Sequence, residues 1–151
     1  MVKVRVETIV SVPISACFDL ARSVSTHPLT TLKSRERVVS KHDRDLLELG
    51  DELTLEATHF RVQQRLSSKL VEFDRPTSFT DQMTKGAFKS FRHQHLFESL
   101  LDGATKMTDI LEFESPLGPL GRLVDRLFMR KYMERFIRER GLAFNDVAGK
   151  L

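Results

Sequence analysis

The chain has 151 residues, of which 40% are apolar and 30% are charged, and its formal net charge is +3. This composition excludes wholesale disorder and favours a single globular domain, 1–151, with its own core. No apolar run approaches the roughly 20 residues that a transmembrane helix needs. Cys17 is the only cysteine, so no internal disulfide can form, and we expect a cytoplasmic protein.

The first third of the chain opens with a clear strand pattern and then loses its periodicity. Valines alternate with charged residues at the N-terminus, which predicts a half-buried strand over Met1–Val10. A helix is expected next, with Ser11 as its cap and Pro13 in its first turn. The predicted elements here are the helix Pro13–Arg22, a helical turn over Val24–Leu32 and a mobile surface connection over Lys33–Asp45.

From Gly50 to Phe113 the pattern indicates successive strands joined by short turns. Asp102-Gly103 is a hairpin signal, because glycine takes positive φ without steric cost. Consecutive strands with short connections form an antiparallel sheet. The predicted strands are Leu53–His59, Val62–Phe73, Ser78–Lys85, Ser90–Glu98 and Ala104–Phe113.

After Pro116 the apolar residues recur every three or four positions, which predicts one long amphipathic helix from Pro119 to Arg140. Gly141 is expected to end it. At about 1.5 Å per residue the helix spans about 30 Å, enough to cross a sheet. The predicted fold is therefore α+β, with a sheet that curls around this helix. The apolar stripe comprises Leu120, Leu123, Val124, Leu127, Phe128, Tyr132, Met133, Phe136 and Ile137.

Basic residues crowd the same helix and outnumber its acidic residues. They are Arg122, Arg126, Arg130, Lys131, Arg135, Arg138 and Arg140, against Asp125, Glu134 and Glu139. Such a stripe is typical of the solvated side of an amphipathic helix. The alternative is that it attracts phosphates or an anionic membrane surface.

Histidines on the predicted strands are the residues best suited to carry chemistry. His93 and His95 are two apart, so both point to the same face as Phe91. His59 lies on another strand, among apolar residues. Three imidazoles in one cavity are compatible with metal binding, but no carboxylate or cysteine stands at a convincing spacing. We therefore interpret them as pocket-lining residues and expect no metal and no cofactor.

Two motifs give the chain a resemblance to a known family. The strand Phe88–Phe97, followed by Met107-Thr108-Asp109, is the first, and Pro116–Gly121 with Asp125, Leu127-Phe128 and Tyr132-Met133 is the second. Together they resemble the START / polyketide-cyclase-like (SRPBCC) superfamily across nearly the whole chain. Gln94 and Arg61 depart from that pattern, where glutamate and a small residue are expected.

The resemblance implies a helix-grip fold, with a curved antiparallel sheet wrapped around a long C-terminal helix and short helices after the first strand. It also implies a cavity between sheet and helix for a hydrophobic or amphipathic small molecule. The residues expected to line this cavity are His59, Phe91, His93, His95, Phe128, Tyr132 and Phe136.

The alternative function is that of a cyclase- or dehydratase-like enzyme, acting on a polyketide or another aromatic substrate. His93 or His95 is then the general acid or base, helped by Asp81, Glu98 or Asp109. Nucleic-acid binding is not expected, because acidic residues nearly balance the basic ones and no recognition motif is present. The oligomeric state stays open.

Overall fold

The computed structural model describes residues 1–150, and it confirms the helix-grip architecture. The strands are β1 (Val2–Val10), β2 (Arg37–Val38), β3 (Glu52–His59), β4 (Val62–Asp74), β5 (Ser78–Lys85), β6 (Ser90–Ser99) and β7 (Thr105–Glu114). They form one antiparallel sheet in the order β1–β7–β6–β5–β4–β3–β2. The sheet is curved and open, and it holds the C-terminal helix on its inner face.

The helices lie between β1 and β2 and after β7. The first two are α1 (Ile14–Ala21) and α2 (His27–Thr30), flanked by 3₁₀ turns at Val24–Thr26 and Leu32–Ser34. The C-terminal helix consists of α3 (Gly118–Val124), a π-helical stretch (Asp125–Met129) and α4 (Arg130–Ala148). None of the helices within residues 1–150 combines the length and the apolar character needed to cross a membrane.

The segment between β1 and β2 carries the chain from one edge of the sheet to the other, because these two strands are the edge strands. It contains more regular structure than its sequence pattern indicates. Ser23 forms an isolated bridge with Leu46, and β2 pairs with β3 through Arg37 and Val38. The charge-dense connection is thus joined to the sheet by β2, and the bridge joins its C-terminal end to the residues that follow α1.

Two clusters of buried apolar side chains hold the helices against the sheet. In the first, Phe18 of α1 meets the rings of Phe73, Phe79 and Phe97 with centroids 5.4, 5.3 and 5.2 Å away. The C-terminal end of the long helix joins this cluster. In the second, residues of α4 pack on β1 and β7. Its buried members are Val4, Val6, Phe91, Leu111, Phe113, Met133 and Ile137.

The C-terminal helix does not end at Gly141, as the sequence predicted, but continues to Ala148. Gly141 instead allows a close approach between α4 and β1. A Cβ atom at this position would lie 2.3 Å from Thr8 Oγ1, well inside van der Waals contact. The extension also uses the residue expected to cap α1, because the Ser11 N–H donates to Asn145 Oδ1 at 3.1 Å.

The first turns of the C-terminal helix also differ from the prediction of one continuous buried stripe. Leu120, Leu123, Val124 and Leu127 are exposed to solvent. The buried side of this stretch is taken by Asp125, whose carboxylate accepts from the Ser115 N–H at 2.9 Å and from the Ser115 hydroxyl. Close packing on the sheet begins only with Met133.

We predict that Gly141→Ala destabilises the fold although alanine favours helix by about 1 kcal/mol. The new methyl group collides with Thr8, and such overpacking costs about 1–3 kcal/mol. The free energy of unfolding, measured by urea denaturation, should therefore fall. Gly149→Ala is the matched control, because its Cβ would meet only Asn145 O at 3.5 Å and Asp146 O at 3.7 Å. An unchanged stability in Gly141→Ala would contradict the close approach.

Candidate functional site

The space between the sheet and the C-terminal helix contains two neighbouring chambers. The outer chamber has a volume of about 110 Å³ and the inner one about 80 Å³. Both have predominantly apolar walls. They meet at six residues that line both chambers, which are Glu36, Leu55, Leu66, Phe91, Met133 and Phe136.

In the outer chamber, His59 and Tyr132 form a polar pair. His59 is the last residue of β3, and its Nδ1 lies 2.5 Å from the Tyr132 hydroxyl. Phe136 meets the imidazole edge-on at 5.4 Å between ring centroids, and Phe60 lies 4.5 Å from the Tyr132 ring. Burial lowers the pKa of His59 and raises that of Tyr132. Both groups are therefore neutral near pH 7 and offer a hydrogen bond in apolar surroundings.

The inner chamber is lined by the two histidines of β6, each paired with a carboxylate of a neighbouring strand. Phe91, His93 and His95 alternate with outward-facing residues, as the strand pattern predicts. His93 Nε2 lies 2.7 Å from Asp109 Oδ1 on β7. His95 Nε2 lies 2.8 Å from Asp81 Oδ2 on β5, and its Nδ1 lies 3.4 Å from Asp109.

These four residues titrate as one unit because their rings and carboxylates are in contact. Burial works to lower the pKa of His95, but hydrogen bonds to Asp109 and Asp81 outweigh it and raise the pKa. For His93, burial and the adjacent His95 lower the pKa. The two imidazoles stack at 3.9 Å, which disfavours a positive charge on both, and the opposite directions of the two pKa shifts favour the proton on His95.

The two aspartates remain ionised in spite of their burial. Desolvation acts to raise the pKa of Asp109, but the hydrogen bonds from His93 and His95 outweigh it and hold the pKa far below its usual range. The pKa of Asp81 is lowered in the same way by His95. His95 therefore lies between two carboxylates that favour its protonated form, whereas burial favours the neutral form of His93 beside it.

A second polar group, made of His27, Glu36 and Arg140, comes from elements that the sequence did not connect. Glu36 Oε1 is buried and has no hydrogen-bond partner within residues 1–150. His27 Nδ1 lies 3.7 Å from it, too far for a hydrogen bond, and is 3.5 Å from Arg140 Nη2. Burial lowers the pKa of His27. Burial also acts to raise the pKa of Glu36, but the nearby His27 and Arg140 have the larger effect, lower that pKa and keep Glu36 ionised.

The structure distributes the residues expected in the site as follows. His59 and Tyr132 line the outer chamber, His93 and His95 line the inner one, and Phe91 and Phe136 line both. Phe128 lines neither chamber. Its side chain is 52% exposed and packs on Phe60, because Asp125 occupies the buried side of this helical turn.

Several residues of the site were missed or left ambiguous by sequence reasoning. Glu36 lies in the charge-dense connection and Arg140 among the helix arginines, so nothing in the local pattern separates them from solvated residues. The sequence does not distinguish Asp81 and Asp109 from Glu98 as partners of a catalytic histidine. Glu98 is in fact outside the cavity, 66% exposed and paired with Lys106 at 3.2 Å.

The three histidines do not form one group of potential metal ligands, because His59 lines the outer chamber and His93 and His95 line the inner one. The grouping that the structure does create is Asp81, His93 and His95, whose potential ligand atoms lie within 4.8 Å of one another. An ion there would have to replace the protons that now join His93 to Asp109 and His95 to Asp81. The hydrogen-bonded arrangement accounts for these side chains without an ion.

Comparison with known proteins agrees with this architecture. Residues 1–144 match the family model described as polyketide cyclase / dehydrase and lipid transport. The protein TTHA0849 of Thermus thermophilus is 15% identical, with a TM-score of 0.77 and 97% of each chain covered. No curated protein matches the sequence.

Two further solved structures share the fold at similarly low identity. Protein Ms6760 of Mycobacterium smegmatis is 12% identical, with a TM-score of 0.73, covering 98% of this chain and 91% of its own. Ginseng major latex-like protein 151 from Panax ginseng is 13% identical, with a TM-score of 0.68 and 97% of each chain covered. At this level of identity the likeness concerns the fold alone.

We predict that the two inner histidines affect stability with opposite pH dependence. Because the pKa of His95 is raised in the folded state, its protonation stabilises the fold. This contribution to the free energy of unfolding is complete below the unfolded-state pKa of about 6.5 and is lost as the pH rises through the folded-state pKa. The lowered pKa of His93 adds stability above about 6.5 that is lost as the pH falls. The loss of unfolding free energy caused by His95→Gln should thus be larger near pH 6 than near pH 9. The difference should correspond to the binding of about one proton.

His93→Gln is the matched control on the same strand, and its loss of stability should be larger near pH 9 than near pH 6. Chemical denaturation of both variants and the unchanged protein across this range measures the two trends. Parallel trends in the two variants would contradict the assignment of the proton charge to His95.

Proposed function

Because the chain belongs to the polyketide cyclase / dehydrase and lipid transport family, we propose that it binds an apolar or amphipathic small molecule in the two chambers. The observation that carries this proposal is the cavity itself. Its walls are mainly apolar, and its few polar groups converge on the interior. A site of this kind gains affinity from apolar contact and orientation from a small number of polar groups.

The shape of the cavity supports a ligand with distinct ends. Its apolar part fits the outer chamber, where Phe88, Met129 and Phe136 form much of the wall. Glu36 and Arg140 both line the inner chamber. Within residues 1–150, Arg140 contacts His27 Nδ1 at 3.5 Å and forms no salt bridge with a carboxylate, while Glu36 Oε1 is buried without a hydrogen-bond partner. A ligand with a polar or anionic group at that depth can interact with the Arg140 guanidinium, which lines the chamber.

The His59–Tyr132 pair orients a second polar group nearer the opening. Both side chains are neutral, so together they can donate to or accept from a hydroxyl or carbonyl without the cost of burying a charge. The outer chamber thus suits neutral polar groups, while the inner chamber suits groups that interact with charge.

We expect Ala57→Leu to weaken binding strongly by occupying part of the outer chamber, which Ala57 lines. Two-ring probes with different head groups, namely naphthalene, 1-naphthol and 1-naphthoic acid, report binding by their own fluorescence, since the chain contains no tryptophan. Affinity for each probe should fall by about tenfold or more, because overpacking and lost contact together exceed about 1.4 kcal/mol.

Ala16→Leu is the control for this substitution. It makes the same chemical change at an exposed position of α1 and should leave probe binding intact. Equal binding by the unchanged protein and Ala57→Leu, with both folded, would contradict the proposed location of the ligand.

A second candidate function is acid–base catalysis on the bound molecule, and the environment of His93 favours it. Asp109 holds His93 Nε2, which fixes the ring and its tautomer, while no hydrogen bond within residues 1–150 involves Nδ1. A neutral imidazole held in this way by a carboxylate can act as a general base. His95 suits this role less well, because both of its nitrogens face carboxylates.

Native mass spectrometry separates the two functions. The unchanged protein and His93→Gln are each incubated with a lipid-soluble extract of the expression host, and the bound molecules are identified. For a dehydratase, the variant should retain an unconverted substrate and the unchanged protein a product that is lighter by one molecule of water. The same bound molecule in both would contradict catalysis by His93.

A further inference from the structure

An exposed apolar surface lies beside the outer chamber. We call it the mouth surface. Its apolar members are Phe60, Leu117, Leu120, Leu123, Val124, Leu127 and Phe128, whose exposure ranges from 40% for Val124 to 75% for Leu117. Contiguous large apolar residues on a surface are unusual in a protein that has no partner for them.

The mouth surface is continuous with the cavity. Phe60 and Tyr132 line the outer chamber, and Phe128 packs on both of them with ring centroids 5.4 and 6.3 Å away. Leu120, Leu123 and Leu127 follow on the same side of the helix at spacings of three and four residues. The exposed apolar side chains of the helix therefore adjoin the outer chamber through Phe60 and Phe128.

Exposed cations accompany these apolar residues along the chain. Arg61, Arg122, Arg126, Arg130 and Lys131 are all exposed. Asp125 is the only acidic residue between Ser115 and Lys131, and it is buried against Ser115. The next carboxylates along the helix are already paired, Glu134 with Arg138 and Glu139 with Lys33, at 3.1 and 3.2 Å.

This combination fits the surface of an anionic lipid bilayer. Helices with apolar residues beside Lys and Arg lie in the interface, where the apolar side chains enter the acyl boundary and the cations meet lipid phosphates. A second copy of the chain is a poorer partner, because two mouth surfaces face to face would bring their cations together without carboxylates to neutralise them.

We propose that the mouth surface docks on anionic membranes, and that the ligand exchanges between the bilayer and the outer chamber without crossing water. The docking rests on the exposed residues alone, whereas the exchange rests on the proposed binding function. Opening onto the membrane removes the need to expose an apolar ligand to solvent during transfer.

Vesicle co-sedimentation tests the docking. The protein should bind vesicles of equal parts phosphatidylcholine and phosphatidylglycerol, bind phosphatidylcholine alone at least about tenfold more weakly, and lose the difference at high salt. Leu120→Gln with Leu127→Gln should lower binding by about tenfold or more. Arg122→Gln with Arg126→Gln should remove the preference for the anionic vesicles.

Leu101→Gln with Leu142→Gln is the matched control. These leucines are also exposed, at 111% and 64%, but lie outside the mouth surface, so vesicle binding should be unchanged. All variants should retain the thermal unfolding midpoint of the unchanged protein. Absence of binding to anionic vesicles, or equal losses in the control, would overturn the proposal. So would a concentration-dependent dimer that Leu120→Gln with Leu127→Gln dissociates, because a second copy would then cover the surface.

The same variants separate docking from ligand binding. The leucine and arginine variants should bind the naphthalene probes in solution as the unchanged protein does, whereas Ala57→Leu should bind vesicles normally but the probes only weakly. If Leu120→Gln with Leu127→Gln loses the probes as well as the vesicles, these residues belong to the binding cavity, and the proposal of a separate docking surface is overturned.

Discussion

The close approach of the C-terminal helix to β1 at Gly141 is the contact on which the rest of the structure depends. The absence of a side chain there lets α4 lie directly on Thr8, and the residues that follow complete the core with Phe144 and Ala148. The N-terminal end of the C-terminal helix does not pack as closely on the sheet. Its first turns stay exposed, and the space between helix and sheet forms the two chambers. Tight packing at one end therefore allows a cavity at the other.

The cavity is polarised along its depth. Near the opening, His59 and Tyr132 are neutral and satisfy one another. Deeper in, His95 and two ionised aspartates form a buried network. Charges at that depth are tolerated because each is held by hydrogen bonds from an adjacent strand. The unpaired oxygen of Glu36 interrupts this pattern. The ligand binding and the acid–base chemistry that we propose would both use this gradient, and the proposed docking would place its neutral end against a membrane.

Much of the fold was predictable because its signals are local. Alternation along β6 placed Phe91, His93 and His95 on one face, and the structure buries all three. The C-terminal helix was found from its apolar period, yet its end was wrong because Gly141 reads as a stop in isolation. Whether a helical glycine ends the helix or admits a neighbouring strand depends on what faces it. Likewise, the period could not show that Leu120 and Phe128 face solvent, since an apolar stripe looks the same when its partner is missing.

The order of the elements, the fold class and the faces of the strands could be derived from the chain alone, because these follow from spacing along it. Which side chains meet is a property of the folded molecule. Asp81 and Asp109 converge on His95 through the registers of β5 and β7 with β6. Glu36 and Arg140 come together from segments more than 100 positions apart. Such pairings depend on strand register and helix placement, which the whole core sets together, and no local pattern records them.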